Sequence, residues 1–173
     1  MATEKTHDIV KSTRHSKITG DFAEALVLYW LSRDGFECAR VDHTGIDLIV
    51  RNRHTNEFMG ISVKSRSRYA GTESESVNLP PDGFIKARKV CAAFGNCVPY
   101  YAIVVDGANA IRCFLLSLGH LESLVGKDDE MHYWRMDARH LTEYAKDTEI
   151  MAFELAVTMG RWWGQKEDGN RKD

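Results

Sequence analysis

The sequence contains no long hydrophobic run and no apolar segment near its start. Uninterrupted apolar stretches such as Tyr100–Val105 are far shorter than the roughly 20 residues that a helix needs to cross a bilayer. Residues 1–17 are polar and lack the apolar core of a secretion signal. These absences predict a soluble, cytoplasmic protein without a membrane partner.

Cysteine is scarce, and its placement excludes two classes of protein. The spacing of the four cysteines fits neither a zinc site nor a disulfide framework: Cys38, Cys91, Cys97 and Cys113. We expect them to be reduced and buried, as is usual in the cytosol. Five histidines also lack the spacing of metal ligands: His7, His15, His120, His132 and His140.

Neither sign of charge is in large excess, because the formal net charge is only −2. Its distribution is uneven, because residues 1–100 hold 14 basic and 12 acidic residues, whereas residues 101–173 hold 9 and 13. The basic side chains of the first part fall into two short groups: Lys64, Arg66 and Arg68, then Lys86, Arg88 and Lys89. These groups predict a local positive patch that attracts nucleic acid. For the second group, an ordinary solvated surface is an equally good interpretation.

Two short stretches with the period of a β-strand carry most of the information. Gly45–Val50 and Gly60–Ser65 each alternate apolar with polar or small residues. The segment between them is polar around His54–Asn56, which predicts an antiparallel hairpin. A turn centred there places Asp47 opposite Val63.

In this register, Asp47 is a diagonal neighbour of Ser62 and Lys64. An acid and a lysine on neighbouring, otherwise apolar strands are costly to bury without a functional reason. A plain buried ion pair is a weak explanation, because such pairs contribute little net stability. The pattern therefore indicates a site that cleaves phosphodiesters.

The remaining elements predict an α/β sandwich around a mixed sheet. Thr19 is suited to cap a first helix that Gly35 ends. The other expected elements follow in chain order: strand Phe36–Val41, the hairpin, the polar loop Tyr69–Asn78, a helix from Pro80 to Gly95, strands Pro99–Val105 and Ala110–Ser117, and helices His120–Val125, Ala138–Lys146 and Glu149–Trp163. We expect a flexible lead-in over residues 1–16, one domain over 17–163 with a core at 19–118 and a helical extension at 119–163, and a disordered tail over 164–173.

The ordered motifs resemble the PD-(D/E)XK nuclease superfamily, nearest to its archaeal Holliday junction resolvase branch. Gly45-Ile46-Asp47 matches the aspartate motif, Lys64 the lysine and Glu24 the acid of the first helix. The resemblance implies a restriction-endonuclease-like αβββαβ fold with a central mixed sheet, to which this chain adds C-terminal helices. The sequence departs from the family at Ser62, where a carboxylate is usual, and a hydroxyl is a poorer Mg²⁺ ligand.

The resemblance also implies a Mg²⁺- or Mn²⁺-dependent enzyme that hydrolyses DNA. Asp47, Glu24 and the backbone carbonyl of Val63 would bind the ion, with Ser62 a weak or water-mediated ligand. Lys64 would orient the attacking water or stabilise the phosphate in the transition state. The predicted nucleic-acid contacts are Arg66, Arg68, Lys86 and Lys89. Tyr69 is suited to stack on an unpaired base or to anchor its loop.

Two other functions remain open at this stage. The departure at Ser62 favours a degenerate nuclease fold that binds nucleic acid without cutting it, unless Glu73 or Glu75 supplies the missing carboxylate. The broad apolar surface predicted for Glu149–Trp163 favours a dimeric assembly module instead. His43 is a further candidate base, although a loop histidine is more often a surface residue.

Overall fold

The structure is a computed structural model that describes residues 10–107, 109–127 and 131–157. Four helices and nine strands lie in this part of the chain, in the order α1 His15–Arg33, β1 Glu37–His43, β2 Ile46–Arg51, β3 Phe58–Ser67, β4 Val77–Leu79, α2 Pro81–Ala93, β5 Cys97–Asp106, β6 Ala110–Ser117, α3 Leu118–Leu124, β7 Gly126–Lys127, β8 His132–Trp134, α4 Ala138–Tyr144 and β9 Met151–Ala156. None of the helices among these residues has the length and hydropathy of a transmembrane segment.

A mixed sheet of six strands forms the centre of the fold, in the order β1-β2-β3-β5-β6-β9. Strands β3 and β5 are parallel, whereas the other neighbours in the sheet are antiparallel. A parallel pair requires a crossover connection, which here contains α2. The predicted order of helix, three strands, helix and two strands is therefore present, with the short strand β4 added before α2.

Helices cover both faces of this sheet. On one face, α1 buries Ala23, Val27 and Leu31 against the sheet. On the other face, α2 buries four residues: Phe84, Ala87, Val90 and Cys91. Successive residues of β5 alternate between the two cores, so this strand is buried on both sides, as its apolar sequence predicts.

Helix α1 begins four residues before the predicted cap. The Thr19 hydroxyl donates to the His15 carbonyl at 2.8 Å, which is a bond made inside a helix rather than at its start. Residues 15–18 contain no helix breaker, so the helix extends through them. The predicted lead-in thus overlaps α1 at residues 15 and 16, and its first nine residues lie outside the described part.

The predicted helix over Glu149–Trp163 is wrong where the structure describes it. Residues 151–156 form the edge strand β9, which pairs with β6. The side chains of Met151, Phe153 and Leu155 recur every second residue, and Phe153 packs its ring 4.4 Å from that of Trp30. The apolar residues of this segment fit both the helical period and the two-residue period of a strand. Pairing with β6 selects the strand. The rest of the predicted helix and the predicted tail lie outside the described residues.

The expected helical extension is likewise only partly helical. Strand β8 pairs with β4 and β7 in a second sheet of three strands. Its Trp134 is fully buried and stacks on Tyr144 of α4 at 4.0 Å. Residues 151–156 are a strand, and the homodimer expected through a C-terminal helix stays a prediction.

The four cysteines carry free thiols. Cys91 and Cys113 are buried, as expected, whereas Cys38 and Cys97 are half-buried. The Sγ atoms of Cys91 and Cys97 lie 3.5 Å apart.

Candidate active site

The β2–β3 hairpin has the predicted topology but a register that differs by one residue. Its pairs run from Leu48↔Ile61 to Arg51↔Phe58. The loop closes through a hydrogen bond from the Asn52 N–H to the Glu57 carbonyl at 2.9 Å. Four residues therefore separate the closing pair, and the turn is centred half a residue earlier than predicted. Continued to the site, this register places Asp47 opposite Ser62 rather than Val63.

The loop chemistry explains the shift. The Asn52 side chain accepts hydrogen bonds from the backbone N–H groups of His54 and Thr55, and Asn56 adopts a left-handed conformation with φ of 59°. Asparagine tolerates this conformation and supports such turns with its own amide. Together these residues stabilise a four-residue loop.

Asp47 lies where β2 separates from β3. The paired residues of the hairpin end at Leu48 and Ile61, and beyond them Asp47 Oδ2 accepts a hydrogen bond from the Val63 N–H at 2.6 Å. The Asp47 carboxylate thus takes the place of a β2 backbone carbonyl as the acceptor for the Val63 N–H, and the hydrogen bond is charge-assisted. The N–H and C=O of one strand residue point to the same side, so we expect the Val63 carbonyl to face Asp47 too.

The glycine before this strand is required by a close contact with α2. Gly45 has a φ of +112°, and an added Cβ would lie 2.8 Å from the backbone carbonyl carbon of Lys86. A side chain at position 45 would clash with the α2 backbone and strain its own. Gly45 therefore lets α2 approach the start of the strand that carries Asp47.

Glu24 approaches the same region from α1. Burial raises the pKa of its carboxyl above the ordinary value, the charge of Asp47 raises it further, and the Arg40 guanidinium opposes both effects. Arg40 of β1 donates to Glu24 Oε2 at 3.0 Å. Two carboxylates that repel each other are an arrangement that a bound cation relieves. Arg40 itself was not among the predicted site residues.

Ser62 is almost fully buried, with 2% of its surface exposed. Its neighbour across the parallel pair is Tyr101, whose hydroxyl lies near the Ser62 side chain without a hydrogen bond of regular geometry. Burial, the main cause, raises the pKa of Tyr101 to about 12. Two neutral hydroxyls, those of Ser62 and Tyr101, therefore lie where the family resemblance led us to expect a carboxylate.

Lys64 lies in a cleft between the start of α1 and the second half of β3. The cleft has a volume of about 380 Å³. Its lining residues are polar except for Val63: His15, Ser16, Thr19, Val63, Lys64, Ser65, Arg66 and Ser67. Arg66 is exposed, so two of the predicted cations face one space. Lys11 extends the basic edge, because its ammonium donates to the Ser67 hydroxyl at 2.9 Å.

The other predicted nucleic-acid contacts lie in different surroundings. Arg68 donates to the carbonyls of Glu75 and Ser76 and pairs with the Glu75 carboxylate at 3.2 Å, so it supports the polar loop. Lys86 pairs with Asp82 at 2.6 Å, and Lys89 is exposed on α2.

Neither loop acid supplies the missing carboxylate. Glu75 is engaged by Arg68, and Glu73 lies beside Gly107, just past the end of β5. Asp82 in the first turn of α2 is a further acid near this region, and its charge helps to raise the pKa of Tyr101.

The two remaining predicted candidates do not join the site. His43 is exposed, and its ring lies 6.2 Å from that of Phe94. The Tyr69 ring is exposed beneath the Lys11 ammonium, which lies 4.0 Å from the ring centroid.

A second group of possible ligands, which its spacing did not indicate, forms beside α3. His120 Nε2 lies 2.8 Å from Asp147 Oδ2, and its Nδ1 lies 3.4 Å from Glu149 Oε2. The three side chains are close enough to share a cation. Both ring nitrogens already face a carboxylate, so the arrangement serves equally well as an ion-pair network. Among the described residues, Glu24 and Asp47 belong to no such group of three.

Comparison with known proteins supports the fold rather than the site. Neither a family profile nor a curated protein sequence matches the chain. Among solved structures, the chain is similar to Hjc, a Holliday junction resolvase from the archaeal hyperthermophile Archaeoglobus fulgidus, with a TM-score of 0.50 and 19% identity over 67% of this chain and 83% of Hjc. This likeness confirms the predicted restriction-endonuclease-like fold with its central mixed sheet. The assignment of individual site residues stays a prediction.

Proposed function

We propose that this chain is a divalent-metal-dependent nuclease that hydrolyses phosphodiester bonds in DNA. The observation that carries the proposal is the convergence of Glu24 and Asp47, whose negative charges disfavour each other, beside the strand that presents Lys64. This convergence occurs on a fold shared with a Holliday junction resolvase.

Asp47, Glu24 and the Val63 carbonyl are suited to bind Mg²⁺ or Mn²⁺. The donor set fits, because Mg²⁺ retains several waters and needs only one or two protein carboxylates beside the substrate phosphate. The ion would supply Lewis-acid stabilisation and a water of lowered pKa. Asp47 keeps its second oxygen for the ion, because only Oδ2 is engaged by the Val63 N–H. Arg40 holds Glu24 in place until the ion binds.

Lys64 and Arg66 are suited to bind the scissile phosphate and its neighbour. Both line the cleft beside the start of α1, and the Lys11 ammonium lies next to this cleft on the Ser67 hydroxyl. Lys64 follows Val63 directly, so its ammonium enters beside the proposed metal ligands. It can stabilise charge on the phosphate or orient the attacking water. Lys86 and Lys89 would contact DNA farther from the reaction.

A protein that binds DNA without cutting it is the second candidate. Ser62 favours it, because this residue is buried and neutral where nucleases of this fold carry an acid. Such a protein would keep the basic cleft and its salt-sensitive affinity.

A cleavage and binding assay on the purified chain separates these functions. Labelled four-way junctions, duplex DNA, single-stranded DNA and RNA are incubated with Mg²⁺, Mn²⁺ or a chelator. The proposal expects DNA cleavage with either metal and none in the chelator. Salt-sensitive binding without cleavage would support the second candidate, and the absence of both metal and DNA binding would favour an assembly module.

A further inference from the structure

The Tyr101 hydroxyl is a buried polar group without a hydrogen-bond partner among the described residues. Tyr101 lies in the middle of β5, with 1% of its surface exposed. An unpaired buried hydroxyl costs free energy that a phenylalanine at the same place would avoid. The cost is explained when the hydroxyl binds something that completes its hydrogen bonding.

The Tyr101 side chain is held in place between its neighbours. The ring is fixed by an edge contact with Phe84, at 4.9 Å between centroids. The oxygen faces the first turn of α2, where an added Cβ on Gly83 would lie 2.8 Å from it. Any other residue at position 83 would press on the hydroxyl. Gly83 therefore leaves the space that the hydroxyl itself occupies.

The same hydroxyl lies beside the proposed metal site. Ser62 and Tyr101 are register partners in β3 and β5, and the charge of Asp47 is near enough to raise the pKa of Tyr101. With a pKa of about 12, the phenol stays protonated at neutral pH and acts as a hydrogen-bond donor.

The nearby charged groups have partners of their own. Arg88 lowers the pKa of Tyr101, but its guanidinium is hydrogen-bonded to Glu122. Asp82 raises that pKa, and it is paired with Lys86. Neither group is a hydrogen-bond partner of the hydroxyl, and the other two polar side chains that act on its pKa are Ser62 and Asp47.

We propose that Tyr101 is a positioning residue that acts through Ser62. The two hydroxyls together hold a water molecule that completes the coordination of the divalent ion bound by Asp47 and Glu24. The inference rests on the proposed function. It explains how the site works with serine in place of a carboxylate, since two neutral hydroxyls order a water that a carboxylate would otherwise replace.

The test is Mn²⁺ affinity, measured by calorimetry without nucleic acid, for Tyr101→Phe against wild type. We expect the variant to bind Mn²⁺ about three- to tenfold more weakly, the equivalent of one hydrogen bond. In chelator it should be as stable as wild type or more stable. Tyr144→Phe is the matched control, because Tyr144 is also buried but its oxygen is hydrogen-bonded to the Arg135 backbone. This control should bind Mn²⁺ like wild type.

Ser62→Ala and the double variant test the coupling. Since Tyr101 acts through Ser62, the variant that combines Tyr101→Phe with Ser62→Ala should bind Mn²⁺ about as tightly as the single variant with the lower Mn²⁺ affinity. Additive losses, or wild-type affinity in Tyr101→Phe, would overturn the inference and leave the proposed function standing. A loss of DNA affinity alone, with unchanged Mn²⁺ affinity, would overturn it as well. If wild type neither binds Mn²⁺ nor cleaves, the inference and the proposed function both fall.

Discussion

The candidate site has two unlike halves. The carboxylate half, Glu24 and Asp47, is charged and half-buried, and Arg40 stands beside it. The hydroxyl half, Ser62 and Tyr101, is neutral and only 1–2% exposed. An unpaired charge is costly in a dry interior, so the charges lie where solvent and a cation reach them. The deeper half contributes hydrogen bonds instead. Four substitutions would break or sharpen this contrast.

The largest effect is expected from Asp47→Asn. The amide oxygen can still accept the Val63 N–H, so the fold should survive while the charge is lost. Removing a metal ligand should reduce metal-dependent cleavage by at least about 100-fold. Asp21→Asn is the control, because Asp21 is an exposed acid of the same helix as Glu24 and pairs with Lys17. A folded Asp47→Asn protein that cuts at the wild-type rate would end the assignment.

Lys64→Ala should lower the cleavage rate by about 100-fold and leave Mn²⁺ affinity unchanged. An ammonium stabilises the phosphate but is not a metal ligand. Turnover and calorimetry on the same preparations separate the two properties, with Lys17→Ala as a control for the loss of an exposed charge. Lost metal binding with retained turnover would reverse the proposed roles.

Ser62→Glu would convert the hydroxyl half into a second carboxylate half. A third anionic ligand should tighten Mn²⁺ binding, and each tenfold gain corresponds to about 1.4 kcal/mol. In chelator the variant should be less stable than wild type, because the new charge is buried near Asp47. Mn²⁺ should restore stability in thermal melts. Ser62→Gln adds a similar volume without charge and controls for overpacking. Equal Mn²⁺-induced shifts of the melting temperature in both variants would show that position 62 does not face the ion.

Glu24→Gln should have the smallest effect, visible as a pH dependence of stability. The pKa of Glu24 is raised in the folded state, so folding favours its protonated form. The protonated carboxyl therefore contributes favourably to the free energy of unfolding at pH values below the pKa that Glu24 has in the unfolded chain. This contribution is lost as the pH rises through the pKa that Glu24 has in the folded protein. In chelator, Glu24→Gln should therefore melt above wild type at neutral pH, with a gap that closes in acid. Mn²⁺ should reverse the order. A gap that widens in acid would contradict the assigned repulsion.

The hairpin and its acid were predictable because their signals are local. A two-residue period, a polar turn and the start of α2 at a proline pair are each contained in a few neighbouring residues. The same local reasoning misassigned β9, whose apolar residues satisfy two periods at once. The deciding partner, β6, lies more than 30 residues away in the chain. Local reasoning also predicted a hairpin register that is wrong by one residue, because the Asn52 side chain sets the loop length.

The sequence by itself determined the order of the core elements and the approach of an aspartate and a lysine on adjacent strands. Tertiary structure alone decided that Arg40 meets Glu24, that Ser62 lies against Tyr101 and that Gly83 leaves space for the tyrosine hydroxyl. The reason is physical. Periodicity specifies which face of an element is buried, whereas contacts between distant elements depend on strand order and register, which are set by the packing of the whole sheet.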